Sequence, residues 1–181
     1  MSLRDGRRVL VRPVSPDDKA LIAWGVSQLS RESSYLRFFS TRNKLSAGEL
    51  RYLTEVDHVD HEALVAVLAD DPSKLVGVAR FVRQTDDPEA AEVAMTIGDP
   101  FQGQGVGREL LELLMEAGRE RGIRRFVAIM LAENTGAQRL FGNAGPVLEI
   151  RRDGGEVRLV FDLGTERTRP RAEIPELLAA A

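Results

Sequence analysis

The sequence predicts an α/β fold: a single domain whose mixed, mostly antiparallel sheet is flanked by helices. Three observations predict it. Apolar runs of strand length crowd the middle of the chain between Glu62 and Ile97. Turn clusters, not helices, separate those runs, as an antiparallel meander requires. The strongest helical periodicity, Gly105 to Arg121, lies between the strand-like runs Ala91 to Ile97 and Arg125 to Leu131.

Each element has a local cause. Arg7 to Val14 is rich in Val and Leu and reads as the first strand. Ser15-Pro16-Asp17-Asp18 then supplies a cap, a first-turn proline and acids for a helix with the apolar stripe Leu21, Trp24, Gly25 and Leu29. A short helix follows from Arg31 to Phe39, whose cluster Tyr35 to Phe39 reads as core. Ser46 and Glu49 have capping-box spacing and open a third helix reaching Val56. Glu62 to Leu68 and Leu75 to Val82 read as strands joined by the turn Asp70-Asp71-Pro72-Ser73. Asp86-Asp87-Pro88 turns the chain into Ala91 to Ile97. Gly105 to Arg121 carries Val106, Leu110, Leu113, Leu114 and Ala117 on one face. Arg125 to Leu131 is nearly all apolar, which predicts burial on both faces and, with the preceding helix, a parallel crossover. A helix from Asn134 to Ala144 stops at Gly145, and the last strands, Val147 to Arg151 and Glu156 to Asp162, flank Asp153-Gly154-Gly155. The domain is expected to cover 1–163, with 164–181 a polar tail.

Composition narrows the function. With 25 basic against 28 acidic residues the formal net charge is −3, so no global field recruits nucleic acid. No apolar run approaches the roughly 18–20 residues of a membrane span, and the start Met1-Ser2-Leu3-Arg4 lacks a signal peptide's layout. The absence of cysteine removes thiolate nucleophiles and the usual zinc frameworks and fits a cytoplasmic protein. His58 and His61 lie three apart without a metal-binding carboxylate pattern, so no metal is expected.

The chemistry-bearing motif is Gln102-Gly103-Gln104-Gly105-Val106-Gly107, between a strand and a helix N-terminus. Glycines admit close backbone approach, and the unpaired N–H groups there suit a pyrophosphate. A glycine-rich turn without a ligand is the bland alternative. A dinucleotide fingerprint needs glycine where Arg108 stands and an acid in the next strand, which has none. A P-loop needs a lysine that the segment lacks, and the acid of a methyltransferase loop would have to lie closer than Asp99.

The pattern Gln/Arg-x-x-Gly-x-Gly/Ala, filled by Gln102, Gly105 and Gly107, resembles the GNAT superfamily of N-acetyltransferases, as does Ala91 to Phe101 leading into it. Arg7 to Val14, Ser33 to Phe39, Leu50 to Val67 and Ala91 to Gly107 look like the catalytic domain of bacterial Pat-type protein lysine acetyltransferases. The resemblance implies a GNAT-like domain taking acetyl-CoA as cosubstrate and a protein acceptor such as an acyl-CoA synthetase. It leaves no segment here for the cyclic-nucleotide-binding or synthetase-like regulatory domain of some members, and so no inherited regulation.

Carried over residue by residue, the resemblance makes Glu92 the general base, expected in a partly desolvated site. Met95, Thr96 and Ile97 would line the pantetheine arm and polarise the thioester carbonyl. Gln102, Gly103, Gln104, Gly105, Val106, Gly107 and Arg108 would hold the pyrophosphate, and Asn134 would contact the arm or only cap its helix. Where many members place a tyrosine acid, this chain has Phe141, so no general acid is assigned. The acids Glu55, Asp57, Asp60 and Glu62 are expected on the acceptor side, where they could draw a cationic lysine. Two other readings remain: transfer to a small amine or amino-acid derivative, and a non-catalytic acyl-CoA-binding module.

Overall fold

The computed structural model of the chain describes residues 1–41 and 44–164. Strand β1 (Val9–Pro13) passes through a 3-10 turn at Pro16–Asp18 into helix α1 (Lys19–Ser27), then α2 (Arg31–Phe38) and α3 (Ala47–Thr54). The meander β2 (His61–Leu68), β3 (Asp71–Arg83) and β4 (Ala90–Ile97) follows. A 3-10 turn at Asp99–Phe101 precedes α4 (Val106–Glu120), β5 (Arg125–Leu131), α5 (Thr135–Gly142), β6 (Val147–Asp153) and β7 (Glu156–Asp162). Among the described residues these strands form one open seven-stranded sheet in the order β1-β2-β3-β4-β5-β7-β6. β4 and β5 are parallel, and every other neighbouring pair is antiparallel. The predicted tail lies, from residue 165 on, outside the described residues.

Local chemistry sets the boundaries. Ser46 Oγ accepts from the Glu49 N–H at 3.2 Å while Glu49 Oε2 accepts from the Ser46 N–H at 2.8 Å, the expected capping box. Gly154 and Gly155 take φ of +54° and +87°, which the two-residue turn between β6 and β7 demands.

α4 and α5 pack on one face of the sheet over the larger core. Its aromatic spine runs Phe81, Phe126, Phe161 and Phe141, ring centroids 5.6, 5.9 and 6.0 Å apart in turn. On the other face a smaller core of Val14, Ile22, Ala63 and Val65 packs with Leu50, Leu53 and Val78. On that face of β5 Val127 is buried while its neighbour two residues on is not. Ile129 is 42% exposed, so the expected burial of β5 on both faces fails on this side.

Three further expectations need correction. The buried stripe of α1 is Ile22 and Val26, because residues 19–29 are apolar almost all round and periodicity could not choose a side. Strand β3 starts at Asp71, four residues early, because Asp71 pairs with Leu68 across an irregularity in which Pro72, Ser73 and Lys74 take no partner on β2. The cluster from Tyr35 to Phe39 is not core: Tyr35 and Phe39 are exposed, and Arg37 and Phe38 line a cavity.

Candidate active site

The sheet opens beside β4. The two parallel strands pair only from Ala90–Arg125 to Val93–Ala128. Beyond that, β4 runs on to Ile97 against β3, and β5 runs on to Leu131 against β7. The Gly98 N–H donates to the Val76 carbonyl at 2.9 Å. Strand alternation therefore turns the backbones of Ala94 and Thr96 toward β3 and those of Met95 and Ile97 into the gap. An extended chain bearing amides can pair with such an edge.

The glycine segment stands at the mouth of that gap. Gly103 and Gly105 have φ of +68° and +90°, a region costly to side-chain residues. A Cβ on Gly103 would meet nothing within 4 Å, so this backbone faces open space. Gly107 is small for a different reason: its Cβ would press to 3.3 Å from Leu140 Cδ2, with Ile97 and Met95 at 3.7 Å. The first backbone bond of α4 runs from the Glu109 N–H to the Gly105 carbonyl. Among the described residues, the N–H groups of Gly103 to Arg108 find no acceptor. Six consecutive donors with the positive end of a 15-residue helix behind them suit an anion such as pyrophosphate.

The flanking side chains divide. Gln102 turns inward, its Nε2 donating at 3.1 Å to both the Ile97 carbonyl and Ser33 Oγ, so it braces the loop. Gln104 Nε2 likewise folds back onto the Pro100 carbonyl. Arg108 is exposed and pairs with Glu112 at 2.8 Å, one helical turn on. Asn134 caps α5 through Oδ1, which accepts from the Ala137 N–H at 3.0 Å, and its Nδ2 makes no hydrogen bond among the described residues.

The cofactor loop is latched to α2. Asp99 Oδ1 accepts from the hydroxyls of Ser30 and Ser33, both at 2.7 Å, and Asp99 Oδ2 from the Ser30 N–H at 3.0 Å. Burial pulls the Asp99 pKa up, but the Ser30 N–H and these hydroxyls outweigh it and hold the carboxyl below its ordinary value.

On the α1–α3 face, Glu92, Ala94 and Thr96 project beside Val82, Arg80 and Val78 of β3. Glu92 is exposed, so the desolvation expected of it is not built into the chain and must come from whatever covers it. Next to it lies a cavity of about 60 Å³ lined by Ile22, Val26, Leu29, Phe38, Leu53, Val78, Ala94 and Thr96 together with Arg37 and Arg80. Arg80 is only 6% exposed; it donates to His61 Nε2 at 3.1 Å and to the Leu53 carbonyl at 3.2 Å. Burial and then the neighbouring Arg37 push its pKa down to about 10. Burial also lowers Arg37, with Glu92 and Tyr52 pulling the other way.

With this geometry in place, residues 8–147 match the family described as "Acetyltransferase (GNAT) domain". The chain belongs to the GNAT acetyltransferase family. Acetyltransferase Pat of Mycolicibacterium smegmatis is 35% identical over 171 residues, 94% of this chain. The chain spans only 50% of that protein's length. Acetyltransferase PA5475 of Pseudomonas aeruginosa is 30% identical over 134 residues, 74% of this chain and 72% of that one. Among solved structures, the GNAT domain of S. lividans PAT matches with a TM-score of 0.80 and 36% identity over 90% of this chain and 94% of that one. A cAMP-binding acyltransferase from Mycobacterium smegmatis matches with a TM-score of 0.62 and 31% identity, over 91% of this chain and 46% of that one.

Within this GNAT frame Phe141 is buried against Phe161 and offers no proton. The acidic run is engaged within the chain. Glu55 pairs with Lys19 and Asp60 with Arg83. Asp57 Oδ1 accepts from the N–H groups of Val59, Asp60 and His61. Glu62 is buried between His58 and Arg121, at 2.8 and 2.7 Å. The histidines are thus committed to Glu62 and Arg80, and among the described residues no group of three metal-binding side chains assembles. Sequence reasoning missed Arg37, Arg80 and Asp99. The available signal was Arg80, a charge inside the apolar run Val76 to Val82 of what became a central strand.

Proposed function

We propose that this chain transfers the acetyl group of acetyl-CoA to an amine, the ε-amino group of a protein lysine, by direct attack with Glu92 as general base. The observation that carries the reading is the gap beside β4, with six unpaired N–H groups at its mouth and Glu92 on the strand that forms its wall. The donors from Gly103 to Arg108 take the pyrophosphate, while the edge from Met95 to Ile97 pairs with the pantetheine amides. Thr96 lies on that edge with its side chain toward the acceptor face, and Asn134 Nδ2 is available to the same arm.

A lysine ammonium, with a pKa of about 10.4, must lose a proton before it can attack. Glu92 accepts that proton, directly or through water. The amine nitrogen bonds to the thioester carbon and gives its remaining extra proton to solvent, the C–S bond breaks, and the thiolate takes a proton from water because Phe141 has none to give. A thiol pKa of about 8.5 makes this departure tolerable. An N–H of the Met95–Ile97 edge polarises the carbonyl, and proximity supplies much of the rest.

The names of the Pat relatives and the motifs of the first half of the chain support the protein acceptor, with an acyl-CoA synthetase as the first candidate and the cytoplasm as the setting. Among the described residues no helix is long and apolar enough to cross a membrane. Incubation of the chain with labelled acetyl-CoA and a cell lysate, read by mass spectrometry, should show acetyl groups on a small set of lysines. Labelling no greater than in a control without the chain would defeat the proposal.

A further inference from the structure

We infer that Arg37 and Arg80 form a carboxylate-binding subsite beside Glu92, so that the acceptor is an amine carrying a carboxylate within a few ångströms. This rests on the acetyl-transfer reading of the same face. The observation behind it is a buried cation, Arg80, beside a half-buried one, Arg37, with no anion paired to either among the described residues. Arg80 is more than nine-tenths buried in a central strand, and only two of its five N–H donors are used, by a neutral imidazole nitrogen and a backbone carbonyl. Arg37 makes no hydrogen bond or ion pair among the described residues, and its guanidinium rests over the Phe38 ring, 5.2 Å from the centroid. Arg37 is close enough to lower the pKa of Arg80, yet among the described residues no carboxylate comes within ion-pairing distance of either. Buried charge is ordinarily paired, so this arrangement is costly to the free protein and is relieved by an anion.

Both side chains line the cavity, whose remaining wall is mostly aliphatic. About 60 Å³ admits a small planar group and its waters but not a bulky one. A guanidinium fork matches a planar carboxylate, and an aliphatic stem fits the apolar wall. Glu92 acts on Arg37 electrostatically, and no ion pair joins the two among the described residues. The carboxylate seats on the arginines, and the amine lies toward Glu92 and the gap beside β4. That carboxylate has two sources: a free amino acid, or an acidic side chain adjacent to the target lysine in a polypeptide.

The test compares matched acceptors in a thiol-release assay with the full chain and acetyl-CoA. One pair is Nα-acetyl-lysine and its amide; the other is a peptide with Glu next to Lys and the same peptide with Gln. In at least one pair the carboxylate member should have a KM lower by tenfold or more. Arg37→Gln and, separately, Arg80→Gln should abolish that preference while leaving acetyl-CoA affinity unchanged, with circular dichroism reporting the fold. Preference in the first pair identifies the small-molecule source, and in the second the polypeptide source. Equal KM values in both pairs, or a preference that survives in folded Arg37→Gln, would overturn the subsite. Calorimetric binding of 5-aminopentanoate in the presence of coenzyme A separates the two claims. Binding that Arg37→Gln eliminates, without turnover of any acceptor, would keep the subsite and sink acetyl transfer. Turnover with no binding and no preference would do the reverse.

Discussion

Glu92 stands in an exposed position on β4, so in its proposed role its strength as a base would depend on being covered by substrates. Replacing Glu92 with Gln keeps shape but removes the proton acceptor, and acetyl transfer should fall about 10²–10⁴-fold with unchanged coenzyme A affinity. Near-full activity of that variant across pH 6–9 would assign the proton to solvent. Gly105 offers the complementary experiment. At φ of +90° a β-branched side chain is strained, and Gly105→Val should weaken coenzyme A binding at least tenfold by calorimetry, with the rest of the fold retained. The glycine segment was readable in sequence because its chemistry is local, a run of unusual residues before a helix. Arg80 and Asp99 were not. Each acquires its meaning from partners far along the chain, Asp99 from Ser30 and Ser33 and Arg80 from His61 and Leu53.

Elements with a strong period or a clean cap were legible in the sequence: α4, β5 and α3 lie within two residues of expectation. Those that were not share a cause. The stripe of α1 was ambiguous because both sides are apolar, and the exposure of Tyr35 and Phe39 on α2 and at its cap depends on tertiary packing, which no local pattern records. One element-level device joins the start of β2 to the end of α4, where Arg121 Nη2 meets buried Glu62 at 2.7 Å and Arg121 Nε donates to the His58 carbonyl. Removing one partner strands the other, so Glu62→Ala should cost about 3–5 kcal/mol in urea unfolding. His61 gives β2 a pH response. Burial and Arg80 lower its pKa from 6.5 to about 4, so the unfolded chain binds the proton more readily. Stability should therefore be full above pH 6.5 and decline as pH falls toward 4, by about 1–2 kcal/mol once solvent screening of the ring is allowed for. His61→Gln, which still offers an acceptor to Arg80, should flatten the decline in a thermal melt series.

At the scale of the whole molecule, the proposed function would give each face of the open sheet its own substrate, with the gap beside β4 between them. The helices of the α1–α3 side are not independent of the cofactor side, because Asp99 grips the start of α2 while Gln102 ties Ser33 to the strand end. Seating a pyrophosphate on that loop stiffens the loop, and the latch passes the stiffness to the helix that carries Arg37. On the proposed reading the expected consequence is an order of binding, in which the cosubstrate enters first and thereby sharpens the cavity that receives the acceptor. Amide hydrogen exchange in residues 31–38 should slow several-fold when coenzyme A is added, and Asp99→Asn should remove that response while the loop still binds its ligand. An acceptor that binds equally well to the chain with and without coenzyme A would mean that the two faces work independently.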